Sequence, residues 1–169
     1  ISVIGFVAAV YSIGYTRLYV NKCDTRFLGF TYNIFLASML LVVTANNAVV
    51  FMIVWELMTV VSFFLVIYEH ENPANMKAGF MYLIMAHIGA VLLSVAFFIM
   101  FAYTGTWDFG FDDFRKVGSH MPLIYKNVVF FLVIIGFGIK AGIFPLHLWL
   151  PMAHPAAPSN VSMVMSGVM

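Results

Sequence analysis

The sequence predicts an all-α integral membrane protein, a polytopic helical bundle with one broken transmembrane helix. Three observations carry that prediction. Of 169 residues, 63% are hydrophobic and only 9% are charged, where a soluble domain carries roughly 25% charged residues. The apolar residues come in runs of membrane-spanning length, about 20 residues each. The last long run contains a lysine, Lys140, followed by Pro145 and Pro151.

The elements follow in order. Residues 1–14 are apolar but short for a span, and Tyr15–Arg26 is a polar loop holding Arg17, Lys22, Asp24 and Arg26. Cys23 is the single cysteine, so it forms no intrachain disulfide and belongs to no metal-ligand spacing. Residues 27–68 would measure about 63 Å as one helix, at about 1.5 Å per residue. That is twice the hydrocarbon thickness of about 30 Å, so the run must fold back. Asn46-Asn47 is the natural turn, giving spans of about 27–45 and 48–68. Glu69-His70-Glu71-Asn72-Pro73 is a loop, and a span over 77–103 follows. Residues 104–120 form a longer segment with Trp107 and alternating Phe and Asp, as expected at a membrane interface. A span over 122–151 is broken at Pro145 and Pro151, and a last one, 158–169, is cut short. Ile1 and Met169 both lie within apolar runs, so the chain reads as a piece of a longer polytopic protein.

The chemistry is expected where charge meets the apolar runs. An ionisable residue at mid-membrane costs about 2.5–3.5 kcal/mol on insertion scales and marks an ion or proton path by default. Glu56 and Lys140 are the two strongest cases. Opposite charges about 4 Å apart at an effective dielectric near 20 interact by roughly 4 kcal/mol, about a thousandfold in proton affinity. Moving one charge can therefore switch the other; the alternative is a static ion pair. Pro145 would leave the carbonyl of Ala141 without its helical donor, and such breaks are tolerated where they are buried or line a wet cavity. Gly138 and Gly142 form a small-xxx-small pair on the face away from Lys140 and are expected to pack on a neighbour. His147 and His154, seven and fourteen residues after Lys140, nearly repeat its face; histidine can relay protons near neutral pH or simply hydrogen-bond where the helix ends. His87 reads as either a relay or a core histidine, and Lys77 as an interfacial, snorkelling lysine.

Other functions lack their residues. There is no basic cluster for nucleic acid, no phosphate loop after a strand, and no cysteine pair for an iron–sulfur cluster or c-type haem. A b-type haem between His87 and His147 is the one arrangement left, and the expectation is no cofactor and no metal.

Two blocks carry a family resemblance. Val54-Trp55-Glu56-Leu57-Met58 and the stretch Gly138-Ile139-Lys140-Ala141-Gly142-Ile143-Phe144-Pro145-Leu146-His147-Leu148-Trp149-Leu150-Pro151-Met152-Ala153-His154-Pro155-Ala156-Ala157-Pro158 resemble the antiporter-like membrane subunits of respiratory complex I. That family includes Mrp-type sodium/proton antiporters and the large membrane subunits of formate hydrogenlyase and related nickel–iron hydrogenases. The resemblance covers nearly the whole chain. It implies a core of two inverted five-helix repeats, with this chain as most of the first. It implies a proton-translocating role for Glu56 as the essential glutamate and Lys140 as the broken-helix lysine. The intervening basic residue would be Lys77 or, less closely, His87. Another basic residue belongs to the following helix, where Ser166 stands near one such place.

The Glu69-His70-Glu71-Asn72-Pro73 loop and the ending around His154 look most like the hydrogenase branch, and Met152 stands where complex I members more often have aspartate. The implied partners are other membrane subunits and a peripheral redox arm, lipid, and protons or sodium. The implied location is the bacterial or archaeal inner membrane. The rival expectations are an Mrp-type antiporter or NADH–quinone oxidoreductase subunit, and a scaffold without transport.

Overall fold

The computed structural model describes residues 1–18, 24–105 and 107–168; Lys22 and Cys23 lie outside them. The described residues form eight α-helices: α1 (Ser2–Tyr15), α2 (Thr25–Thr44), α3 (Ala48–Val66), α4 (Pro73–Ala102), α5 (Phe111–His120), α6 (Leu123–Ala141), α7 (Leu150–Ala156) and α8 (Ser159–Val168). A 3₁₀ turn, Thr16–Leu18, follows α1. Four helices, α2, α3, α4 and α6, are long and apolar enough to cross a membrane.

Short polar side chains set the helix starts. Asp24 accepts from the Arg26 N–H at 2.9 Å, and Asn72 accepts from Ala74 N–H at 3.0 Å. Asn47 accepts from Val49 and Val50 N–H at 2.9 and 3.3 Å. Each satisfies first-turn donors that a helix leaves unpaired. Asn72 also stands before Pro73 at the first turn of α4, where the missing proline N–H costs nothing. The helix thus starts inside what reads from sequence as a loop and runs 30 residues, about 45 Å.

Helix α4 packs on α6, α3 and α7; α2 packs on α3, and α1 on α8. Helices α4 and α6 meet backbone to backbone, where a Cβ on Gly89 would lie 2.9 Å from the Gly136 carbonyl oxygen and one on Gly136 would lie 3.0 Å from the Gly89 oxygen. That is the contact the sequence assigns to Gly138 and Gly142. Gly142 instead ends α6 in the left-handed conformation, φ 69°, and a Cβ on Gly138 would meet only Ile143 and Leu146 of the following turn.

The interface segment is partly helical. Helix α5 buries Phe114 and Val117 and turns Asp112, Arg115 and Lys116 outward. Phe114 stacks on Phe97 of α4 at 6.0 Å. The extended segment before it ties down the α2–α3 turn: Ala48 N–H donates to Phe109 O at 2.9 Å and Phe111 N–H to Asn46 O at 3.3 Å. Trp107 stands 96% exposed. Many apolar side chains of the long helices are exposed too, among them Val43, Ile53, Phe98 and Phe131, as a lipid-facing surface requires.

Candidate functional site: a buried lysine among hydroxyls

Lys140 lies in the last turn of α6 and is 5% exposed. Its Nζ donates to Tyr82 Oη of α4 at 2.8 Å and to Thr59 Oγ1 of α3 at 3.2 Å. Tyr82 Oη is 2.6 Å from Ser62 Oγ of α3. Nζ also sits 5.6 Å from the centre of the Trp55 ring, near enough for cation–π attraction. Three helices thus converge on one ammonium, and its hydrogen-bond partners are neutral hydroxyls.

The helix break has a local cause. Gly142 takes the positive φ that other residues disfavour. Ile143 N–H then returns to Gly138 O at 2.9 Å and Gly142 N–H to Ile139 O at 3.3 Å, the pairing of a Schellman end. The buried Trp149 indole N–H donates to the same Ile139 oxygen at 2.7 Å. The freed carbonyls at 138 and 139 are therefore met by protein donors, and the helix stops before Pro145. The break has an electrostatic consequence: the negative end of the α6 dipole falls beside Lys140, where a cation gains about 0.3–1 kcal/mol, up to about 2 when partly buried.

Glu56 lies one turn from Thr59 on α3, and His87 Nε2 of α4 is 3.4 Å from Glu56 Oε2. The ring's other nitrogen, Nδ1, is 2.9 Å from the Leu83 carbonyl oxygen. A carbonyl only accepts, so Nδ1 carries a proton. A neutral ring then turns a lone pair toward the carboxylate, which is repulsive. The contact is favourable only with one further proton between Nε2 and Oε2, on the imidazolium or on the carboxylic acid. Both side chains are partly open at the outer face of this chain, 36% for Glu56 and 50% for His87.

The remaining candidates lie apart from this cluster. Lys77 is exposed near the start of α4, ten residues before His87. His147 lies in the turn between α6 and α7, packed on Phe144 with ring centres 5.5 Å apart; its Nδ1 is buried without a hydrogen-bond partner among the described residues. His154 is bonded to Ser162 Oγ at 3.0 Å. With α6 ended at Ala141, the sevenfold spacing of Lys140, His147 and His154 spans two helices and a turn, so it defines no common face. Pro151 sits in the first turn of α7, and Leu150 N–H takes the His147 carbonyl at 2.9 Å, which removes the unpaired carbonyl expected there.

Thr59, Ser62 and Tyr82 are the site residues that sequence reading passes over. A signal was present: Glu56, Thr59 and Ser62 recur every three residues in an otherwise apolar helix, which puts them along one side of α3.

Comparison with known proteins gives the family of the chain. Residues 45–169 match the NADH:quinone oxidoreductase/Mrp antiporter transmembrane family. The chain is 43% identical to hydrogenase-4 component B of Escherichia coli (strain K12), over 100% of this chain and 24% of that protein. It is 30% identical to formate hydrogenlyase subunit 3 of the same organism, over 97% of this chain and 24% of that protein. It is also 30% identical to the putative antiporter subunit mnhA2 of Staphylococcus haemolyticus, over 96% and 20% of the two chains. Among solved structures, it resembles a chain of the membrane-bound sulfane sulfur reductase, an archaeal respiratory membrane complex, with a TM-score of 0.75 and 29% identity over 98% of this chain and 26% of that one. The chain spans about a quarter of the length of these relatives. The protein is an integral membrane protein of the antiporter-like type, and it belongs to the NADH:quinone oxidoreductase/Mrp antiporter family.

Proposed function

We propose that this chain forms a proton-translocating half-channel in the membrane arm of a complex I-related hydrogenase complex, with redox chemistry carried by partner subunits. Lys140 is the proton carrier, and the Glu56–His87 pair is the group whose charge biases it. His87 rather than Lys77 takes the basic role beside Glu56. His147, in the turn after the break, stands as the next relay. The observation that carries this reading is a lysine 5% exposed with hydroxyl partners. A purely structural buried lysine would be expected to sit directly on a carboxylate, because an unpaired buried charge is costly. Hydroxyls can meet both the ammonium and the free amine.

The steps follow from the geometry. A proton shared by Glu56 and His87 leaves that pair close to neutral as acid and base, or dipolar as an ion pair; losing it leaves a net negative charge. That charge favours the ammonium form of Lys140 a turn away. Regaining the proton withdraws the support, and Lys140 releases its own. The hydrogenase setting is supported by the 43% identity to hydrogenase-4 component B.

The test uses the full-length protein in its assembled complex, reconstituted in liposomes with a pH-sensitive dye. Glu56→Gln and Lys140→Ala should each abolish proton uptake driven by redox turnover. Intact uptake in both variants would sink the proposal. The similarity to mnhA2 favours a second reading, sodium/proton antiport through the same residues; sodium-dependent dye recovery without redox turnover would select it.

A further inference from the structure

The hydrogen bonds around Lys140 can be followed proton by proton. Thr59 donates its own hydroxyl proton to the Trp55 carbonyl at 3.0 Å, so toward Lys140 it only accepts. Tyr82 has one proton; its two close hydrogen-bond partners are Lys140 Nζ at 2.8 Å and Ser62 Oγ at 2.6 Å, with the Thr59 hydroxyl also beside it. Ser62 also has one proton, and its oxygen lies 2.7 Å from the Met58 carbonyl and 2.9 Å from the Thr59 carbonyl. When Lys140 is charged, Tyr82 accepts from it and donates to Ser62, the nearer of its hydroxyl neighbours, and Ser62 donates to one of those carbonyls. When Lys140 is neutral, its nitrogen has a lone pair to fill. Tyr82 can then turn its proton to Nζ while Ser62 turns its own to Tyr82.

Each of these side-chain groups has a partner in both settings. The Met58 and Thr59 carbonyls released by Ser62 are already inside α3 and keep their backbone donors. The hydroxyl protons stay on the same oxygens throughout; only Lys140 gains or loses one. Thr59, with a fixed donor role, could not do this alone.

We infer that Tyr82 and Ser62 form a two-position hydrogen-bond switch that holds Lys140 in one place in both of its protonation states. They are positioning residues, and the inference rests on the reading of Lys140 as the carrier. Without the switch, one of the two states would leave a buried polar atom unmatched, and the cycle would slow at that state.

Two substitutions of equal shape at Ser62 provide the test. Ser62→Thr keeps the hydroxyl and Ser62→Val removes it, so packing changes are shared. In the assembled complex in liposomes, Ser62→Thr should keep proton transport within about twofold, and Ser62→Val should lose about tenfold, the loss of one buried hydrogen bond in one state. Tyr82→Phe should lose at least as much. If both Ser62 variants fail to assemble, Ser62→Ala and Tyr82→Phe replace them: each should lose about tenfold, and native transport in both would overturn the switch. Equal loss in Ser62→Thr and Ser62→Val would assign the effect to packing and overturn the switch. Native transport in Ser62→Val and Tyr82→Phe, with Lys140→Ala inactive, would overturn the switch and leave the carrier standing. Native transport in Lys140→Ala would remove the carrier and the switch together.

Discussion

Replacing Gly89 by alanine adds one methyl group where there is no room for it. The new Cβ would lie 2.9 Å from the Gly136 carbonyl oxygen and 3.5 Å from Ile139 Cβ. The first neighbour is backbone, so no rotamer change relieves it; α4 and α6 must separate or slide. Overpacking of this kind costs about 1–3 kcal/mol. Against it stands the gain from replacing a helical glycine by alanine, about 0.8–1.0 kcal/mol. The net is a loss of roughly 0–2 kcal/mol, tipped toward loss because the atom met is backbone and cannot rotate away. A Cβ on Gly136 would meet Leu93 at 2.8 Å and the Gly89 oxygen at 3.0 Å, and the same helix separation relieves both variants. The double variant should therefore cost less than the sum, since residues sharing one relaxation are not additive. Gly29 in α2 has open space where a Cβ would stand, with no atom within 4 Å, so Gly29→Ala is the control that keeps the propensity gain alone. Denaturant unfolding of the detergent-solubilised full-length protein measures all four. Lys140 and Tyr82 sit on the two helices that would move apart, so proton transport should fall with stability in Gly89→Ala and hold in Gly29→Ala. A Gly89→Ala variant stabilised as much as Gly29→Ala would refute the close backbone packing of α4 on α6.

Other variants separate the remaining elements. Trp149→Phe removes one of the two donors to the Ile139 carbonyl, which keeps the Gly142 N–H, and should destabilise by about 0.5–1.5 kcal/mol, the net worth of one hydrogen bond, measured by the same unfolding experiment. Gly142→Ala should cost at least about 1–2 kcal/mol for the left-handed backbone, with a further penalty because its Cβ meets Leu150 at 2.6 Å; a loss below about 0.5 kcal/mol, a tenth of a small domain's stability, would argue against the glycine end of α6. His87→Ala should reduce proton transport about tenfold or more, as the loss of the group that shares a proton with Glu56 in the proposed cycle implies, while Lys77→Gln should stay within about twofold, the range of an exposed charge. The reverse order in the liposome assay would return the basic role to Lys77.

The two charged residues were legible in the sequence because charge in an apolar run is expensive and therefore rare. Glu56 and Lys140 stand out by composition alone. The hydroxyls that surround Lys140 do not, since threonine, serine and tyrosine are ordinary in such helices and their significance depends on which helices meet. Gly89 and Gly136 are unreadable for the same reason: each looks like any other helical glycine until α4 and α6 are placed together. Asn46-Asn47 was legible as a turn because asparagine acts locally, and Asn47 does cap α3. Local signals can also compete. Proline at 145 and the glycines at 138 and 142 admit two readings of the break, and the backbone resolves it in favour of Gly142, whose positive φ ends the helix three residues before the proline.

That choice of breaker matters to the lysine. Had the helix run on to Pro145, Lys140 would lie a turn further from its end, and the dipole effect fades within the last turn. Ending α6 at Ala141 keeps Lys140 inside that turn. The Ile139 carbonyl is tied by Gly142 and Trp149, so the end cannot fray toward the ammonium and replace its hydroxyl partners. The charged form thus gains from the helix end, and the neutral form avoids the cost of burying a charge among Trp55, Tyr82 and the apolar faces of α3 and α4. Neither form is favoured by a fixed countercharge in contact with Nζ. In the proposed cycle, one proton on the Glu56–His87 pair decides between them. A Lys140 bonded directly to a carboxylate would need several kcal/mol to be discharged and would make a poor carrier.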